Sequence, residues 1–163
     1  MTVRASFAAV VSAFMCVMAH AMSYTWTGGG AAGTWNDPAN WSPNGVPNAG
    51  DDAKFELAGD LTITSDIAIS SGVLTINNCG AVVSLNGVVS GEGGIKLTGT
   101  NYLALAGDNT FKGGVQRNSF LSGVQLYHDH GLGTGPFTAC DGAAANSGNA
   151  GTRPSNCSHK KYP

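Results

Sequence analysis

From Glu56 to Thr138, apolar residues recur two positions apart, break off and start again: Leu61/Ile63, Ile67/Ile69, Leu74/Ile76, Val83/Leu85, Ile95/Leu97 and Leu103/Leu105. Period two sends alternate side chains to opposite faces of an extended chain, so each pair marks a strand with an aliphatic inner face. The intervening positions hold Thr, Ser, Lys and Ala and suit an outer face. This pattern predicts strands over Leu61–Thr64, Ile67–Ser70, Val73–Ile76, Val82–Leu85, Gly94–Leu97, Tyr102–Leu105 and Val124–Leu126. Between them stand Gly72, Asn77-Asn78, Gly80, Asn86-Gly87, Gly99 and Asp108-Asn109, residues that favour turns and tolerate left-handed backbone. No useful helical period follows residue 21.

Two all-β architectures fit. An antiparallel β-sandwich joins its strands by hairpins, and Asn86-Gly87 is a good hairpin signal. A β-solenoid stacks coils of short strands in parallel, each coil burying the apolar face of the next. The predicted strands are about four residues long, shorter than the usual five or six, and corners are frequent, both of which suit the solenoid.

The segment 91–116 carries a more specific signal. It runs from Gly91 through Leu103 and Leu105 to Gly107, Asn109, Thr110, Phe111, Gly113 and Gly114. It resembles the autotransporter-associated β-strand repeat, also called the passenger-associated transport repeat. The usual form of that repeat is a Gly-rich lead, Leu-x-Leu, Gly-x-Asn-Thr-aromatic-x-Gly-Gly and a further strand. The resemblance implies a right-handed parallel β-helix on an exported protein and implies no catalytic chemistry. The stretch Tyr24–Phe55 is similar to the opening segment of such proteins, with Trp26-Thr27-Gly28-Gly29, Gly33-Thr34-Trp35, Asn40-Trp41 and Gly50-Asp51-Asp52-Ala53-Lys54-Phe55 in the same order. His130–Thr138 resembles the Leu-Gly-x-Gly-x-aliphatic-Thr segment that leads into a following strand. Two departures stand out: Gln116–Phe120 replaces the aliphatic strand expected after Gly-Gly, and no repeat follows Thr138.

The organisation expected is therefore a signal peptide at 1–21, an aromatic N-terminal cap at 22–55, β-helix coils at 56–138 and a disordered or truncated tail at 139–163. The signal rests on Arg4, the apolar run Ala5–Met18 and the Ala19-His20-Ala21 cleavage pattern. That run is too short for a spanning helix, which needs about 20 residues. Cys16 follows Met15, where lipid attachment wants a small residue. Cleavage after Ala21 places the product on the bacterial cell surface or outside the cell. The aliphatic-poor tail predicts the start of a longer protein, cut short by truncation or frame shift.

Composition narrows the function classes. A net charge of −2 with 11% charged residues gives no basic face for nucleic acid. Losing Cys16 with the signal leaves Cys79, Cys140 and Cys157, which show no metal-binding spacing. A Cys140–Cys157 bridge is open in an oxidising compartment.

The acidic residues are Asp37, Asp51, Asp52, Glu56, Asp60, Asp66, Glu92, Asp108, Asp129 and Asp141. They sit mainly at turns, where Asp caps backbone groups, and not in pairs that a glycosidase would need. His128-Asp129-His130 is the densest group of potential ligands. On a strand its two histidines share a face, yet no third ligand can be identified from the sequence. No Ser elbow and no phosphate loop is present, so no catalytic residue, cofactor or resident metal is expected. Asn40-Trp41-Ser42 and Asn156-Cys157-Ser158 are formal glycosylation sites.

The expected function is a non-catalytic structural passenger of an autotransporter-like protein, its repeat assisting secretion through an outer-membrane translocator on a missing segment or another chain. The alternative is an adhesin or binding module for surface polysaccharide or a host surface, with Trp26, Trp35 and Trp41 as exposed stacking platforms. Unpaired coil edges predict marginal stability or aggregation of the isolated mature chain.

Overall fold

The computed structural model describes residues 21–119 and 121–139. The strands are β1 (Ser23–Trp26), β2 (Trp41–Ser42), β3 (Asp52–Glu56), β4 (Leu61–Ile63), β5 (Ile67–Ala68), β6 (Val73–Cys79), β7 (Val83–Leu85), β8 (Val89–Ser90), β9 (Gly94–Gly99), β10 (Tyr102–Leu105), β11 (Val115–Arg117), β12 (Gly123–Leu126) and β13 (Phe137–Ala139). The only helical element among the described residues is a single 3-10 turn, Pro38–Asn40.

The strands stack as a β-solenoid of about four turns. Each turn contributes a strand to a long face (β3, β6, β9, β11, β13), then to a second face (β4, β7, β10, β12). The first two turns add a short third face, β5 on β8. All of these pairings are parallel. From β3 onward, paired residues lie 20 positions apart (Ile95 with Val115) to 23 apart (Asp52 with Thr75). The sole antiparallel pairing among the described strands joins β1 to β2 at the N-terminal end.

Parallel register stacks like on like. Ile63, Leu85, Leu105 and Leu126 form one ladder, and Leu74, Ile95, Val115 and Phe137 another. Every inward aliphatic expected from the period-two pattern is buried except Leu61, which is half-buried. A fully buried Leu or Ile contributes about 1.5–3 kcal/mol relative to exposure. The lumen of the solenoid therefore supplies the main driving force for a chain with so few charges. The Ile63 ladder is buried through its first three rungs, but Leu126 is 50% exposed. The described coils thus end on an open apolar edge.

Each predicted strand has its counterpart, and the antiparallel sandwich is set aside. Several local readings change. Asn86-Gly87 makes no hairpin; it turns the chain from β7 to β8 while the Asn86 amide donates to Ile63 C=O in the turn below. Asn77-Asn78 lies within β6, not in a turn. The Asn78 side chain is buried and its Nδ2 donates to Tyr102 C=O at 2.6 Å, so it joins two coils from a strand position. The stretch after Gly114 is not strandless: Val115 is buried in β11, while Gln116 faces out. A final rung, β13, pairs with β11 and extends one residue into the expected tail. Signal residues 1–20, tail residues 140–163, a Cys140–Cys157 bridge and the Asn156 glycosylation site lie outside the described residues.

Candidate functional site

The repeat corner follows β10 in the third turn. Asn109 is 2% exposed. Its Oδ1 accepts the Val89 amide at 2.8 Å from the turn below, and its Nδ2 donates to Gly131 C=O at 2.8 Å in the turn above. Phe111 is fully buried in the core. Gly114 has φ +73°, and a Cβ there would meet the Pro136 carbonyl of the next coil. A Cβ on Gly107 would strike Gly87 C=O, and one on Gly113 would strike Gly94 N. Thr110 is exposed, but its amide donates to Val89 C=O. These residues close and stack coils.

The aromatic segment forms a second cluster. Trp35 and Trp41 pack edge-on with centroids 4.8 Å apart, Trp26 and Trp41 at 5.0 Å, and Trp41 reaches Phe55 of β3 at 5.6 Å. The indole N–H of Trp35 donates to Pro47 C=O, and that of Trp41 to Trp35 C=O. Trp26, Trp35 and Trp41 are 5%, 0% and 2% exposed. This agrees with the aromatic cap and goes against the alternative of exposed stacking platforms, because the rings are packed in the core. Asn40 is likewise buried: it accepts the Gly30 amide and donates to Ala31 and Thr34 C=O, so its amide is not open to glycosylation.

The carboxylates divide by use. Asp60 and Asp66 each accept an amide one coil above, from Val82 and Val88. Asp51 accepts the Met22 and Asn48 amides, and Asp37 accepts those of Ala31 and Ala39. The two bonds to Asp37 hold its carboxyl below the usual range, as hydrogen bonds to an ionised group do. Asp52 moves the other way: burial raises it, against smaller opposing effects of Lys54, the Ser23 side chain and Lys96. Glu92 pairs with Lys112 at 2.6 Å on the open surface.

Asp108 is different because its partners are histidines. It precedes Asn109 in the third turn, while His128 and His130 follow β12 in the fourth. His130 Nδ1 lies 2.6 Å from Asp108 Oδ1, across 22 residues of sequence, and His128 Nδ1 lies 3.8 Å from the same oxygen. An ionised carboxylate only accepts, so His130 Nδ1–H donates. That bond holds Asp108 below the ordinary carboxylate range; desolvation opposes it, and charge attraction from His130 and His128 adds less than either. His128 Nδ1 accepts the His130 amide at 3.1 Å.

Sequence spacing had isolated the two histidines but not their carboxylate, because Asp108 arrives from the preceding coil. At the far edge, Val124, Leu126, Leu132 and Phe137 line an apolar cleft of about 300 Å³. Cys79, the free cysteine among the described residues, ends β6 half-buried with its Sγ 3.4 Å from Asn77 Oδ1. No helix among the described residues is long and apolar enough to cross a membrane.

No family model matches the chain, and neither does any curated protein or solved structure.

Proposed function

We propose that this chain is a structural segment of an exported, autotransporter-like surface protein, a stack of coils that extends from the cell or is released from it, with no catalysis of its own. The observation that carries the reading is the use made of the repeat corner. Gly107, Asn109, Phe111, Gly113 and Gly114 are all spent on coil closure and coil-to-coil contact. A motif whose residues are consumed in this way serves assembly of the rod, and such a rod can grow from one end as it leaves a translocator. The carboxylates of Asp37, Asp51, Asp60 and Asp66 support the non-catalytic part of the reading, since backbone amides occupy them.

Export is the element to test. The full chain, produced with residues 1–21 in a Gram-negative host, is fractionated and its N-terminus sequenced. Product outside the cytoplasm that begins at Met22 is the expected result. Chain that stays in the cytoplasm with residues 1–21 attached refutes the proposal.

A further inference from the structure

We propose that Asp108, His128 and His130 form a binding site for a divalent transition-metal ion of the zinc type, clasping the third coil to the fourth. The inference does not depend on export or on the passenger reading. One ligand atom from each residue lies within 4.8 Å of the other two. Zinc–nitrogen bonds of 2.0–2.1 Å in a tetrahedral site place ligand atoms about 3.3–3.5 Å apart. The widest separation therefore needs to close by up to about 1.5 Å, while the 2.6 Å His130–Asp108 pair opens slightly, and the side chains are exposed enough to adjust: 63% for Asp108, 39% for His128 and 69% for His130. Two imidazoles with a carboxylate suit zinc, nickel or copper far better than calcium or magnesium, which prefer oxygen alone. Three protein ligands leave at least one position for water.

The backbone under the cluster is fixed, unlike that of a chance surface pair. Asn109, next to Asp108, donates to the carbonyl of Gly131, next to His130. The same side chain is anchored below by the Val89 amide. Gly131 N–H donates back to His128 C=O, and Tyr127 N–H donates to Leu105 C=O in the coil beneath. The two ligand-bearing loops are thus tied together by a buried hydrogen bond whose donor is next to Asp108 and whose acceptor is next to His130. Metal entry replaces the direct His130–Asp108 bond with coordination of both groups.

The test is isothermal titration of the full chain with zinc chloride, the protein being purified without a polyhistidine tag. Thermal melts with and without zinc run alongside. Wild type is expected to bind one ion at this site and to melt higher with it, as binding to the folded state alone requires. Asp108→Asn, His128→Gln and His130→Gln should each weaken binding by about tenfold or more, since loss of even an outer-shell partner of a metal ligand acts on that scale. Asp129→Asn alters an exposed carboxylate of the same loop outside the cluster and should bind like wild type. Circular dichroism confirms that the variants are folded. Absence of zinc binding at 0.1 mM (roughly a hundredfold above a micromolar dissociation constant) overturns the proposal. So does zinc binding that survives all three cluster substitutions, which would place the ion at other ligands.

Discussion

The Asn109 side chain bonds to both the coil below and the coil above, and the cost of its removal is calculable. Asn109→Ala deletes both bonds and leaves the Val89 amide and the Gly131 carbonyl without their partner in a site only 2% exposed. Orphaning a buried group costs about 1–3 kcal/mol, and two such groups with a little water entry give a loss of about 2–4 kcal/mol. With a urea slope of about 2 kcal/mol/M, the unfolding midpoint should fall by about 1–2 M. Asn109→Asp is the sharper variant. It keeps an acceptor for Val89 but turns a second oxygen toward the Gly131 carbonyl and buries a charge. At neutral pH it should be at least as damaging as alanine. Burial and repulsion raise the folded-state pKa of such an aspartate above its unfolded value, so the variant should recover stability as pH falls and lose it as pH rises. Urea titration at pH 7 and pH 4 reads the global effect, and amide exchange at Val89 reads the local one. A midpoint for Asn109→Ala within about 0.3 M of wild type (under about 1 kcal/mol at that slope), or faster exchange everywhere except Val89, would refute the bridging role.

Three further outcomes follow from the same geometry. Gly114→Ala places a side chain at φ +73° against the Pro136 carbonyl and should cost more than about 2 kcal/mol, whereas Gly59→Ala, in open space, should change stability by less than about 0.5 kcal/mol; paired thermal melts decide it. Trp35→Ala removes a fully buried ring and should destabilise by about 3–5 kcal/mol, and a wild-type melting point in that variant would return the ring to the surface. Asp37 has a folded pKa below its unfolded value, so its contribution is present above the unfolded pKa near 3.8 and is lost as pH falls through the folded one. Asp37→Asn should therefore flatten the acid limb of the stability–pH curve, and an unchanged limb would show the capping bonds to be inconsequential.

The solenoid was legible because its physics is repetitive. Period-two aliphatics between turn residues dictate short strands with one buried face, and parallel stacking needs only that successive coils repeat the pattern about every 20 to 23 residues. The errors arose where a residue's local preference is overruled by the coil next to it. Asn86-Gly87 has hairpin chemistry, yet in a stack the strand after the turn is fed to a new face and pairs with the coil below it. Asn78 favours turns, yet a buried amide reaching Tyr102 C=O is worth more inside β6. Val115 alone keeps β11 in the long face, because the register of β9 and β13 on either side supplies the hydrogen bonds that its weak sequence does not demand.

The same logic separates what the sequence hides from what it displays at the surface. Trp26, Trp35 and Trp41 admit two linear readings, an aromatic cap or ligand platforms, and the cap prevails because three large rings near an otherwise open end are worth more buried against Phe55 than exposed. Asp108 shows the converse. In sequence it is one more turn aspartate, 22 residues from His130, and that distance is one coil. A β-solenoid brings residues one period apart into contact along its axis, so its surface constellations are written at the coil period and not at the spacing of a strand or helix. The candidate metal cluster was half visible for that reason: His128 and His130 share a loop, while their carboxylate can be recognised only once the period is known. In a chain of this kind, chemistry should be sought by aligning the coils and reading across them.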